Sequence, residues 1–495
     1  MLFRTRPCLV ADESRISYRP DHATILNYQM NSIMKRLTHL LSFLMAMLVL
    51  SQCDPSISER TADSGQVDFS SYVAVGNSLT AGYSDNALHR EGQLNSFPNI
   101  LAGQMQQAGG GEFLQPLVNP GVGSSADGEA RLVLQLTTGP DGSQTLSPAP
   151  AAESGQDIFS RQQTGPFHNV GVPGARSFHL VAEGYGNSEA GQGNFNPFFT
   201  RFKSEPMATV LGDAMMAEPT FFTLWAGNND VLGYATSGGT GQGLEEMGDP
   251  AQVSDSDITP VNVFQGSIEA LAGTMAGAGA QGAVLSIPDV TTIPFFNTVP
   301  WNGLALTAEQ AQMLRAGYEA GGVPEQLIPD FREGANGFVI EDGNAPAGFR
   351  MAEQGEHILL SVPQDSLQPV PQGAGWGSST PIPDQYTLTA EQAGNVGLAT
   401  DTFNDILEGV AAQLGLAFVD VNPELEAAAQ ESIVYDAIEL TTEFVEGGVF
   451  SLDGVHLTPR GAALVVNMVI EEINETYGAT LSPVNVSAYE GVRFP

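Results

Sequence analysis

The stretch Tyr72-Val73-Ala74-Val75-Gly76-Asn77-Ser78-Leu79-Thr80-Ala81-Gly82 decides how this chain is read. Its first four residues are apolar and predict a short buried strand, and two glycines bracket the turn that follows. In an open α/β sheet, ligands bind beyond the carboxyl ends of the strands, which is where Ser78 would stand. Such a serine has two readings, a nucleophile or a plain helix N-cap. No Gly-X-Ser-X-Gly surrounds it, so the nucleophile elbow of α/β-hydrolases is not the template.

Outward from this stretch, strands alternate with helices. Residues 219–224 are a β-type run, and 283–287 and 416–421 are further strands. Helical periodicity covers 258–277, 389–414 and 460–477. The helix over 389–414 is the strongest: Thr389 and Gln392 form a capping box, and Val396, Ala399, Phe403, Ile406, Leu407, Val410 and Leu414 share one face. This alternation predicts the α/β class, a three-layer α/β/α body with a central, mostly parallel sheet covered on both faces.

Two segments interrupt the pattern. Residues 109–165 are rich in Gly, Pro, Ser and Gln and read as a long loop excursion. Residues 297–387 hold a helix opened by Thr307 and Gln310, then hairpin-like stretches at 338–340 and 357–362. They read as an insertion over one end of the sheet that shapes substrate access. The hexapeptide Leu-Thr-Ala-Glu-Gln-Ala occurs at 306–311 and 388–393. It is read as two capping boxes of similar chemistry, not as an internal repeat.

Acyl transfer needs a nucleophile, a base, a carboxylate that orients the base, and donors for the oxyanion. Asp453-Gly454-Val455-His456 precedes the last helix. An aspartate three residues before a histidine can hold one imidazole nitrogen while the other faces a serine, or the four residues are a surface turn. The other histidines, at 22, 39, 89, 168, 179 and 357, have no such neighbour. Gly227-Asn228-Asn229-Asp230 follows a strand, and an asparagine amide there is a donor or part of a turn. Asn169-Val170-Gly171-Val172-Pro173-Gly174-Ala175 is a second glycine turn. Trp225, Phe295 and Phe296 are candidates for an acyl pocket or for plain core. The scattered histidines and the lack of His-Glu-X-X-His point to no metal and no cofactor.

Together, in this chain order, the four blocks resemble the SGNH (GDSL-like) hydrolase superfamily of serine esterases and lipases, in a larger lipoprotein-like form. The resemblance covers about residues 70–294 and 395–475. It implies a flavodoxin-like fold, with Ser78 as nucleophile and Asp453 and His456 completing the catalytic set. It also implies an oxyanion hole made of the N–H groups of Ser78 and Gly174 and the amide of Asn229. Gly171 is the alternative to Gly174. One residue departs from the family pattern: Asn77 stands where an aspartate usually precedes the serine. The implied function is hydrolysis of a carboxylic ester, whether lipid, short-chain or O-acetyl. A carbohydrate O-deacetylase is the competing enzyme. A non-catalytic glycan- or lipid-binding envelope lipoprotein is the competing class, disfavoured because a binding module has no reason to keep Ser78, Asn229, Asp453 and His456 together.

Composition narrows the partners. The 495 residues carry 56 Asp and Glu against 18 Lys and Arg, a formal charge of −38, with lysine only at 35 and 203. Such a surface repels nucleic acid, so the expected partner is a small-molecule, lipid or glycan ester. It fits an ordinary acidic secreted protein or adaptation to high salt. Lys35-Arg36, an apolar run over 37–50 and Ser51-Gln52-Cys53 read as an export signal. Cys53 is the expected lipidation site, because the residues before it resemble a lipobox with Gln52 as a departure. The expected organisation is an extension over 1–33, an export segment over 34–52 and an anchor and tether over 53–68. A hydrolase body over 69–480 and a tail over 481–495 complete it. The only other cysteine, Cys8, lies in the extension, so the mature chain is expected to have no disulfide.

Overall fold

A computed structural model describes Met30, Met34 and residues 62–138, 144–159, 162–190, 195–367 and 375–495. Except for Met34, the expected export segment lies outside the described residues, as does Cys53. Among the described residues, no helix is long and apolar enough to cross a membrane.

The opening stretch forms β1, Tyr72–Gly76, with all five residues buried. It pairs with β2 (Phe221–Trp225), then β3 (Gln281–Leu285) and β4 (Ala417–Val419) follow in that spatial order, every pair parallel. Unbroken apolar strands are what a sheet covered on both faces requires. Beyond β1 the chain over 168–172 adds a short parallel run. The N–H of Ala74 donates to His168 O at 2.7 Å, and those of Val170 and Val172 donate to the carbonyls of Ala74 and Gly76. This run carries Gly171 and Gly174 to the carboxyl end of the sheet.

The helices of the covering layers include α1 (Ser78–Ala81), α2 (Phe97–Gln107), α3 (Asn228–Thr236), α4 (Val261–Gly277), α5 (Ala390–Leu414) and α6 (Pro459–Tyr477). α2 packs on α6, while α3 and α4 pack on α5. Phe264 of α4 stacks on Phe403 of α5 with ring centroids 4.0 Å apart. The Tyr477 hydroxyl donates to Gly282 O at 2.6 Å and fastens α6 to β3. The expected three-layer α/β/α architecture is thus present. α5 begins at the expected capping box, with Thr389 and Gln392 bonding reciprocally, and ends at Gly415 in the left-handed region at φ 68°.

The two interruptions behave differently. Within 109–165, where a structureless excursion was expected, Leu132–Thr138 and Gln144–Pro150 pair as an antiparallel hairpin. Residues 297–387 fold around two small apolar clusters of their own, one centred on Phe338, Ile340 and Ile358 and the other on Tyr318, Phe331 and Val339.

Candidate active site

The sheet brings the four blocks to one end, and a set of local bonds joins them. Gly76 must be glycine: a Cβ there would lie 2.3 Å from both Thr80 Oγ1 and Trp225 O. Asn77 caps α1 by accepting the Leu79 N–H at 3.0 Å. Its amide also donates to Asn228 Oδ1 at 3.0 Å. An ionised aspartate could cap in the same way but could not donate, so the Asn77 departure comes with a specific partner in the third block. Ser78 is thereby tethered to the segment that carries Asn229.

The second and third blocks are clamped together. The Asn229 amide donates to Ala175 O at 2.8 Å, which uses one of its two hydrogens. Buried Asp230 accepts from Ser177 N–H at 2.9 Å and from Ser177 Oγ at 2.6 Å. Burial raises the Asp230 pKa, and the Ser177 bonds oppose that rise. The two candidate glycines now separate. The Gly171 N–H is spent on Asn169 Oδ1 at 3.0 Å, and a Cβ at Gly171 would lie 2.4 Å from Ala81 N, so Gly171 serves close packing on α1. Gly174, at φ 79°, has a backbone N–H with no internal acceptor among the described residues.

The fourth block forms a tight turn before α6. His456 Nδ1 lies 2.9 Å from Asp453 Oδ2. A carboxylate only accepts, so Nδ1 carries the hydrogen and Nε2 keeps its lone pair. Burial alone would raise the Asp453 carboxyl. The His456 charge and the surrounding N–H donors outweigh it and hold the group well below the usual carboxylate range. Ser78, Asn229 and His456 all line one cavity of about 40 Å³. No direct hydrogen bond joins Ser78 to His456 among the described residues, an arrangement often seen before substrate tightens a site. The remaining described histidines are otherwise engaged. His357 Nδ1 donates to Phe296 O at 3.0 Å, His89 Nε2 pairs with Ser84 Oγ at 3.0 Å while its Nδ1 accepts the Gly92 N–H, and His168 and His179 accept the backbone N–H groups of Leu114 and Arg176. Among the described residues, no three His, Cys, Asp or Glu side chains stand close enough to hold a metal ion.

Sequence reasoning missed the bracket that holds Asp453. Asp85 and Asn86 both adopt positive φ, 52° and 59°, a conformation disfavoured for side-chain-bearing residues but tolerated best by Asp and Asn. It presents the Asn86 N–H to Asp453 Oδ2 at 2.8 Å and the Asp85 N–H to Ser451 Oγ at 3.0 Å. The Asp85 carboxylate in turn accepts the Leu452 N–H at 3.1 Å. The Tyr83 ring packs on His456 with centroids 4.8 Å apart. The only local sign is the turn-prone run Ser84-Asp85-Asn86.

Burial pushes the Asp85 carboxyl up to about 6, against about 3.9 in an unfolded chain. The folded form then holds its proton more tightly, so this group's favourable contribution is full below about pH 4 and is lost as pH rises through 6. Asp85→Asn keeps an acceptor for Leu452 and removes the titration. It should exceed the parent in stability by about 1–2 kcal/mol at pH 7, with the gap closing below about pH 4, as read from urea unfolding midpoints at both pH values.

The insertion touches the site from behind. Leu360 N–H donates to Phe295 O at 2.9 Å, and Phe295 N–H donates to Gly454 O at 3.0 Å, inside the Asp453–His456 turn. Trp225 lines the cavity, whereas Phe295 and Phe296 do not.

No curated protein and no solved structure gives a significant match to this chain. A family model described as GDSL-like lipase/acylhydrolase does match, over residues 72–469. That span takes in all four blocks, and the chain belongs to this family of hydrolases acting on ester bonds.

Proposed function

We propose that the protein is an exported serine esterase with Ser78 as nucleophile, His456 as general base and Asp453 as the residue that orients it. The observation that carries this reading is the shared cavity of Ser78, Asn229 and His456, with His456 Nδ1 bonded to Asp453. His456 Nε2 removes the Ser78 proton as Oγ attacks the ester carbonyl. The Ser78 and Gly174 N–H groups and the second Asn229 amide hydrogen hold the oxyanion. His456 returns the proton to the leaving alcohol, and water then releases the acyl group by the same steps.

A fluorophosphonate probe tests this directly. The folded protein should be labelled stoichiometrically on Ser78, as located by peptide mass analysis, and heat-denatured protein should not react. A folded protein that hydrolyses esters without labelling at Ser78 would place the nucleophile elsewhere. Export and anchoring rest on the basic pair Lys35-Arg36, the apolar run after it and Cys53. Incorporation of labelled palmitate that is lost in Cys53→Ser tests the anchor.

A further inference from the structure

The geometry points to a short acyl group: we propose that the cavity beside Ser78 is an acyl pocket that admits two- to four-carbon acids and rejects longer ones. This rests on the esterase reading above and adds the size of the acid. The rim and the floor of the cavity differ in kind. Ser78, Asn229 and His456 stand at the rim with half-buried Leu79 and Leu232. The buried part of the lining is mostly apolar: Trp225, Pro288, Val290 and Ile293 stand there, with the polar Asn228 beside them. The space between them is about 40 Å³, room for roughly two or three water-sized groups. That is the bulk of a methyl to propyl tail once the carbonyl carbon is at the rim.

The floor is also stiff. The Trp225 indole N–H is fixed on Ser286 O at 3.0 Å, and Phe97 meets its ring edge-on. The Asp289 N–H donates to Asn422 Oδ1 at 2.9 Å, and the Asp289 carboxylate accepts from both Thr291 N–H and Thr291 Oγ1. This pins the 288–293 wall from two sides. Further along, Phe295 is bonded to Gly454, where a Cβ would already lie 3.0 Å from Leu360 and 3.2 Å from Phe295 N. The insertion therefore braces a wall of the pocket without lining it. A longer tail would have to displace close-packed side chains, which interiors resist.

The acid, not the alcohol, occupies this space. The alcohol must take its proton from His456, whose side chain is 16 % exposed at the rim, and must then leave to water. The acyl group stays behind on Ser78, and a small, mostly apolar pocket suits the group that stays.

The test is kcat/KM of the full chain on p-nitrophenyl acetate, butyrate, octanoate and laurate, where only the acid varies. Acetate or butyrate should be best and octanoate at least about tenfold poorer. Ile293→Val and then Ile293→Ala should raise the octanoate-to-acetate ratio stepwise, by about fivefold or more in the second. A ratio is read because a loosened fold lowers both rates together. Octanoate or laurate turned over as well as butyrate overturns the pocket assignment and leaves the esterase reading standing. So does Ser78 labelling by fluorophosphonate without turnover of acetate or butyrate. No turnover of any ester together with an unlabelled Ser78 overturns the esterase reading and the acyl assignment with it.

Discussion

Ser78→Ala should fold like the parent and hydrolyse p-nitrophenyl acetate at least about a thousandfold more slowly. The two halves of this expectation come from different features. No internal hydrogen bond uses Ser78 Oγ among the described residues, and the bonds that shape the turn run through Asn77 and the Ser78 backbone. Alanine is the best helix former and keeps that backbone, so urea midpoints should move by no more than about 0.5 kcal/mol. Activity depends instead on the one oxygen that is lost. The oxyanion donors remain, so a residual rate above the uncatalysed one is expected, as when a triad loses its nucleophile but keeps its binding groups. A variant within tenfold of the parent would remove Ser78 from the mechanism.

How much of this was readable in advance depends on how locally each feature is encoded. β1 and its turn are written in eleven adjacent residues, and α5 in a capping box at one end and Gly415 at the other. Such elements state their own boundaries. The hairpin over 132–150 does not. Its second strand contains Pro148 and Pro150, which argue against a strand except at an unpartnered edge, and Leu136 faces solvent where alternation would bury it. The site divides along the same line. Ser78, Asn229, Asp453 and His456 sit in short blocks with recognisable neighbours. The choice between Gly171 and Gly174 did not, because it depends on which N–H the Asn169 side chain consumes. The Asp85–Asn86 bracket was hidden for a further reason: its partners are 366 and 367 residues away, and only the folded chain brings them together.

Asp453→Asn should lower kcat at least about a thousandfold with a smaller change in KM, and it should do so through either of two failures. The Asp453 carboxylate accepts five hydrogen bonds. Oδ1 takes Ser451 Oγ–H, Val455 N–H and His456 N–H, and Oδ2 takes Asn86 N–H and His456 Nδ1–H. An asparagine has one acceptor oxygen and must place its NH2 against donors on the other side. If the oxygen stays on the turn side, the NH2 gives up the bond from Asn86 N–H and faces His456 Nδ1, which selects the tautomer with hydrogen on Nε2 that cannot take the Ser78 proton. If the oxygen turns to His456, the NH2 confronts the Val455 and His456 N–H groups. The turn is then destabilised by about 1–3 kcal/mol. Ser451→Ala provides the contrast. It removes one of the five donors and the acceptor for Asp85 N–H but leaves the carboxylate and the tautomer intact, so kcat should fall less than about tenfold. Steady-state kinetics and urea unfolding on both variants separate the cases. A large kcat loss with the smaller drop in stability identifies the tautomer, where only the Asn86 bond is given up, and a loss with the larger drop identifies the turn. A kcat within tenfold of the parent would mean that Asp453 does not orient the base.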